Sequence, residues 1–131
     1  MEFAGSNFTP LEQAALRGIC EEAGSGERAS LEAQLSTARV HSRENTGAGF
    51  FTRFDVERAG IAPLCGPRLR NGPDAQIAGL ERGMGFILWL KEGYADCLEG
   101  YANAGSTTEI DFERVDFEML PALGKTDRRN A

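Results

Sequence analysis

The sequence predicts an α+β fold, in which an N-terminal αα-hairpin packs on a twisted antiparallel sheet of about five or six strands. Three observations predict this class. Apolar residues recur at helical spacing as far as Ser36, whereas from Ala38 onward the pattern has a period of two. Two matching segments, 47–54 and 83–90, each place a Gly-x-Gly before a strand-like run that opens on Phe. The second run continues through a short turn into a returning segment, which is typical of a β-hairpin.

Length and charge limit the classes of protein. A chain of 131 residues corresponds to one domain, which we expect to cover residues 1–120, with a flexible polar tail at 121–131. The formal net charge of −6 disfavours binding to nucleic acid or to an anionic membrane. The N-terminus has no signal-peptide pattern and no stretch approaches the length of a membrane span, so we expect a cytoplasmic protein.

Cysteine and histidine usage predicts neither a metal site nor another cofactor. Cys20, Cys65 and Cys97 lie far apart and form no Cys-x-x-Cys pair, so we interpret them as small hydrophobic residues in a reducing compartment. The one histidine, His41, lies on a predicted strand between Arg39 and Arg43 and has no triad-like neighbour in sequence that would make it a general base. We therefore expect a structural histidine.

The first helix has a strong start signal. Thr9 suits the N-cap, Pro10 the first helical position, and Glu12 the third position of a capping box. Residues 24–26 contain two glycines and are predicted to end this helix, and a second helix is predicted over 28–36. The first helix carries one apolar stripe, formed by Leu11, Ala14, Ala15, Ile19 and Cys20.

Two strands with different faces are predicted next. In the first, Val40 and Ser42 alternate with a basic face of Arg39, His41 and Arg43. The following strand has one buried face and one polar face, because Phe50, Thr52, Phe54 and Val56 alternate with Phe51, Arg53, Asp55 and Glu57. Residues 60–73 contain three prolines and are predicted to be irregular, since proline cannot donate to a sheet ladder.

The remaining strands centre on an apolar hairpin. After a brief strand at 75–80, residues 85–90 are apolar on both faces, which predicts a central strand covered on both sides. Residues 91–93 form the turn, with Gly93 at positive φ. The last strand is predicted over 115–120, after a bulge or helical turn near Glu113. The predicted core is Leu11, Ala15, Ile19, Leu31, Leu35, Val40, Phe50, Phe54, Phe86, Leu88, Trp89, Leu98 and Phe117.

The Gly-x-Gly pairs favour a structural role over phosphate binding. A glycine-rich loop holds phosphate when it precedes a helix, whose N-terminus then points at the anion. Here each pair precedes a strand. If the two glycine-marked strand ends lie side by side, nearby polar residues could cluster into a ligand or partner site, or into ion pairs that close the sheet edge. The candidate residues are Arg43, Glu44, Arg53, Glu99 and Tyr101.

Acidic residues are densest near the C-terminus. Glu109, Asp111, Glu113, Asp116 and Glu118 are opposed only by Arg114 within this segment. Such a run is usually a solvated face. The sharper interpretation is an acidic face for a basic partner, because complementary charge accelerates encounter and excludes wrong partners.

The strings 42–54, 83–90 and 98–101 resemble a family of small uncharacterised bacterial proteins. Its members share the skeleton RExTGxGFFT … GxGFxLxxxxGxxxxLEGY, which this chain follows over about residues 42–101. The resemblance implies no activity and no catalytic residue. The predicted architecture also resembles the immunity components of bacterial toxin systems.

Three functional hypotheses follow. The first is a non-enzymatic binding protein that acts through a sheet edge or through the acidic segment. The second is a small-ligand or enzymatic site at the glycine-marked strand ends. The third is a homodimer formed through an exposed aromatic face that includes Phe51 and Trp89.

Overall fold

The computed structural model describes Phe3 and residues 7–121. Within this part of the chain, two N-terminal helices pack on an open antiparallel sheet of seven strands, which confirms the α+β class. The predicted tail lies outside the described residues except for Pro121. The elements are α1 (Pro10–Glu22), α2 (Ser25–Leu35), β1 (Arg39–Asn45), β2 (Gly49–Asp55), β3 (Leu69–Asn71), β4 (Ala75–Ile77), β5 (Leu80–Lys91), β6 (Tyr94–Ala102) and β7 (Phe117–Met119).

The start of α1 is the predicted capping box. The Thr9 hydroxyl accepts a hydrogen bond from the Glu12 amide at 3.1 Å, and the Glu12 carboxylate accepts one from the Thr9 amide at 2.8 Å. The second helix begins earlier than predicted, because Gly24 acts as its N-cap and Ser25 is already helical. Neither described helix is long and apolar enough to cross a membrane.

The sheet has the strand order β1-β2-β6-β5-β4-β7, and β3 pairs with β5 beside β4. Strand β3 comes from the region predicted to be irregular. It tolerates the neighbouring prolines because Pro67 and Pro73 both lie outside its three residues, Leu69–Asn71. The long strand β5 therefore pairs with β6 on one side and with the two short strands on the other.

The two faces of the sheet differ in cover. The covered face lies under the helices and includes Phe50, Thr52 and Phe54, all buried. The opposite surface, which we call the open face, includes Phe51 and Arg53 and their register partners on neighbouring strands. The residues of the open face include Arg39, Ser42, Glu44, Gly49, Phe51, Arg53, Asp55, Leu69, Asn71, Gly85, Ile87, Trp89, Cys97, Glu99 and Tyr101.

The core occupies the space between the covered face and the helices. Of the predicted core residues, all are buried except Val40, Trp89 and Phe117, which are partly buried. Trp89 lies on the open face beside Ile87, also partly buried. Strand β5 is therefore central, as predicted, but the helices cover only one of its two apolar faces.

The β5–β6 hairpin is tied to the second helix by a buried amide. The turn residues Glu92 and Gly93 both have positive φ, at 55° and 86°. The Gln34 side chain donates to the Gly93 carbonyl at 3.1 Å and to the Ala62 carbonyl at 3.2 Å, and it accepts from the Ala95 amide at 2.8 Å. Gln34 is fully buried, so these hydrogen bonds satisfy an amide that would otherwise destabilise the core.

A bulge in β1 overturns the predicted basic face. The register with β2 shifts between Val40 and Ser42, so that His41 is the extra residue. Arg39 pairs with Asp55 on the side of the open face, whereas Arg43 pairs with Thr52 on the covered face. Arg39 and Arg43 are four positions apart and would share a face in a regular strand. The extra residue between them places them on opposite faces.

The C-terminal segment turns before its strand. The Arg114 amide donates to the Asp111 carbonyl at 3.1 Å, which places a turn at the predicted position near Glu113. Strand β7 is shorter than the predicted 115–120, and it pairs with β4.

The two Gly-x-Gly segments lie on either side of Tyr101. Gly49 and Gly85 both pair with this residue in β6, one from each neighbouring strand. A Cβ atom on Gly49 would lie 2.0 Å from the Gly100 carbonyl oxygen, and one on Gly85 would lie 2.4 Å from the Tyr101 ring. Close approach of backbone and ring therefore requires glycine at both positions.

We expect Gly49→Ala to lower the free energy of unfolding by about 2 kcal/mol or more, because the new methyl group overlaps the Gly100 carbonyl and φ is +154°. The matched control is Gly26→Ala in α2, where a Cβ meets no atom within 4 Å. That variant should be neutral or stabilised by up to about 1 kcal/mol. Urea denaturation measures both, and equal effects would contradict this role for Gly49.

Candidate functional site

The structure separates the five predicted site residues. Glu44, Arg53, Glu99 and Tyr101 lie on the open face, whereas Arg43 lies on the covered face. The cause is the bulge at His41 together with the alternation of neighbouring residues in β1. The five side chains therefore do not form one cluster.

The four residues on the open face make weak or moderate contacts. The Arg53 guanidinium lies 3.6 Å from the Glu44 carboxylate and 5.2 Å from the centre of the Phe51 ring. The Trp89 indole N–H donates to Glu99 at 3.0 Å. Burial, with smaller contributions from nearby carboxylates, raises the pKa of Tyr101, whose hydroxyl is therefore protonated at neutral pH.

Arg43 instead forms an ion pair with Glu12 of the first helix. Its Nε and Nη2 atoms each lie 3.0 Å from a Glu12 carboxylate oxygen, and its Nη2 also donates to the Asn7 carbonyl. The Thr52 hydroxyl donates to the same carboxylate. The hydrogen bond to Glu12 raises the pKa of Arg43. The Glu12 side chain is only 4% exposed, so α1 places a fully hydrogen-bonded carboxylate against β1 and β2.

A cleft of about 230 Å³ opens beside this ion pair. The rings of Phe50 and Phe112 lie 4.8 Å apart and form an apolar part of its wall. Three further carboxylates, those of Glu44, Asp111 and Glu113, belong to exposed residues at its margin. The complete lining is Thr9, Glu12, Arg43, Glu44, Asn45, Phe50, Thr52, Ile110, Asp111, Phe112 and Glu113.

Two residues of the cleft, Glu12 and Asp111, have a local role that the sequence predicts and a long-range position that it does not. The sequence predicts Glu12 as part of the capping box, but its ion pair with Arg43, 31 positions away, carries no local signal. The sequence predicts Asp111 as part of the acidic segment. Its position in the cleft beside α1 depends on the path of the loop between β6 and β7, which the sequence does not predict. A larger groove of about 400 Å³ between α1 and β7 brings together none of the predicted site residues.

Two buried thiols among the described residues are poor nucleophiles at neutral pH. Burial raises the pKa of Cys20 to about 12 and that of Cys97 to about 11, so both thiols are protonated at neutral pH. His41 lies at the exposed sheet edge, where its Nε2 is 4.0 Å from Asp55. No group of three or more His, Cys, Asp or Glu suited to a metal ion is found among the described residues.

Comparisons with protein-family models, with curated proteins and with solved structures found no match. Function is therefore inferred from the geometry and charge of the described residues.

Arg43→Met should lower the free energy of unfolding by about 2–4 kcal/mol, because it leaves the buried Glu12 carboxylate without its cation. The matched control is Arg53→Met, whose partner Glu44 has a side chain 57% exposed. Exposed pairs contribute little, so this variant should lose less than about 1 kcal/mol. Urea denaturation measures the free energy of unfolding of both variants. Equal losses would contradict the prediction, because the Arg43–Glu12 pair would then stabilise the fold no more than an exposed pair.

Proposed function

We propose that the protein is a non-enzymatic binding protein that holds a basic protein partner at its acidic segment, residues 109–118, and at the adjoining cleft. The observation that carries the proposal is the position of Asp111 and Glu113, which belong to the acidic segment and also line the cleft. Charge and concavity thus occur at one place on the surface.

The acidic segment provides long-range attraction. Its five carboxylates belong to exposed residues, and Arg114 is the one cation within the segment. The contact from Arg114 to Asp111 is 3.6 Å between largely exposed groups, so it neutralises little of the charge. In a chain of formal charge −6, this surface favours encounter with a positively charged partner.

The cleft fits a basic side chain better than a free small ligand. A lysine or arginine can lay its methylene stem on Phe50 and Phe112 and place its charged head beside Asp111 and Glu113. The aromatic walls add cation–π attraction. A volume of about 230 Å³ lies below the roughly 300 Å³ at which small-molecule sites begin, which favours one inserted side chain.

A role like that of an immunity protein is the most specific form of this proposal. It rests on the architectural resemblance noted above and on the acidic surface, which suits a basic toxin. Such a complex would gain specificity from the inserted side chain and speed from the surrounding charge.

The alternative is a small-ligand or enzymatic site at the glycine-marked strand ends. It is supported by the pairing of Gly49 and Gly85 with Tyr101, which brings both segments together. It is weakened by the position of Arg43 on the covered face. The clefts described above also include none of Arg53, Glu99 and Tyr101.

The test combines a pull-down with charge-removing variants. We expect the full chain to capture a basic protein, among which products of neighbouring genes are the first to try. The double variant Asp111→Asn with Glu113→Gln should bind it at least about tenfold more weakly, with reduced salt dependence.

The control double variant, Glu57→Gln with Asp96→Asn, removes the same charge at exposed positions away from the cleft. It should change the affinity by less than about threefold. Capture of no basic protein would contradict the proposal, as would equal weakening by the two double variants.

A further inference from the structure

We propose that two copies of this chain associate face to face through the open face of the sheet. This interface is distinct from the acidic segment and the cleft. The copies are related by a two-fold axis, so each contributes the same surface.

The first argument is the uncovered apolar surface. Strand β5 has apolar residues on both faces, and the described chain covers only the face under the helices. On the other face Ile87 and Trp89 remain partly exposed, and Tyr101 is 36% exposed. Phe51 and Leu69, also partly exposed, extend this surface onto β2 and β3. Contiguous apolar surface of this kind marks an association site.

The polar groups of the open face are compatible with burial. The Trp89 indole N–H already donates to Glu99 within the same chain, so covering it leaves no unpaired donor. The Arg53 guanidinium already has partners within the chain, the Phe51 ring and the Glu44 carboxylate. A second sheet can therefore approach to about 10 Å, the usual spacing of packed sheets.

Charge favours a second copy over a charged partner. The open face carries both signs of charge, with one more carboxylate than arginines, whereas the whole chain has a formal charge of −6. Its charged residues are Arg39, Glu44, Arg53, Asp55 and Glu99. Two copies repel each other in most orientations, and the repulsion is least where both signs of charge are present. In a two-fold pair Arg53 of each copy adds a cation to the surface that faces the other copy's carboxylates.

The area predicts a weak, reversible dimer. Five strands, β1, β2, β6, β5 and β3, span about 20 Å at the usual strand spacing, and the seven residues of β2 extend about 24 Å. The face therefore measures about 480 Å², and two copies bury about 1,000 Å² in total. This is the lower limit for specific interfaces, so we expect dissociation in the micromolar to millimolar range.

Trp89 allows a direct test because it is the one tryptophan of the chain. Sedimentation velocity of the full chain, from micromolar to millimolar concentration, should show a shift from monomer to dimer. Trp89 emission should move to shorter wavelength over the same range, since the dimer excludes water from the ring. Phe51→Glu should weaken the dimer at least about tenfold and should leave the dilute protein folded, as judged by circular dichroism.

The control is Ile61→Glu, which adds the same charge at a partly buried residue outside both the open face and the acidic segment. It should dimerise like the unmodified chain. A protein that is monomeric at every concentration would overturn the proposal, as would equal weakening by the two variants or an unchanged Trp89 emission on dimerisation. Capture of a basic partner at the acidic segment does not depend on these results, so the two proposals can fail separately.

Discussion

The buried carboxylate of Glu12 joins the first helix to two strands on one face of the sheet. It closes the capping box of α1 through the Thr9 amide and accepts hydrogen bonds from Arg43 in β1 and Thr52 in β2. Removal of Arg43 would leave the buried Glu12 carboxylate without its cation in a poorly solvated site. Because Arg43 and Thr52 are register partners on one face, the carboxylate holds α1 against that face alone.

A second polar tether acts at the other end of the helical layer. Gln34 joins α2 to the β5–β6 turn through the Gly93 carbonyl and the Ala95 amide. Arg70 of β3 adds a two-pronged ion pair with Glu27 of α2, at 2.8 and 2.9 Å. These contacts fix α2 on the covered face, while the apolar side chains of the open face remain partly exposed.

Two surfaces of different chemistry result from this arrangement. The cleft beside Glu12 is concave and acidic, with aromatic walls that suit the stem of a basic side chain. The open face is nearly neutral and aromatic, and its one indole N–H is satisfied internally. The first surface favours a partner of opposite charge, whereas the second favours a surface like itself.

Local sequence signals predicted the local structure well. The capping box at Thr9, the alternation of β2 and the positive φ of Gly93 each depend on neighbouring residues, and all are present. The bulge at His41 had no such signal, because it depends on how β1 aligns with β2. Alternation along β1 separates Arg43 from its neighbour Glu44, and the bulge decides that Arg43 faces the helices, away from Arg53.

Long-range geometry accounts for the other differences. Strand β3 forms because part of the edge of β5 is free to pair with Leu69–Asn71. The prolines around these residues predict an irregular segment, and they carry no information about this distant strand. The prediction that β5 is covered on both sides holds for one face only among the described residues. Strand β5 has the predicted apolar pattern, but its residues on the open face, Ile87 and Trp89, remain partly exposed.

Hydroxyl-radical footprinting of the dilute monomer tests the central claim, that the helices cover one face of the sheet and leave the other open. Phe50 and Phe51 are neighbours in sequence but lie on opposite faces, as do Phe86 and Trp89 within β5. We expect oxidation of Phe51 and Trp89 to be several-fold faster, after correction for intrinsic reactivity, than that of Phe50 and Phe86. Equal protection of all four side chains, or faster oxidation of Phe50 and Phe86, would contradict the account.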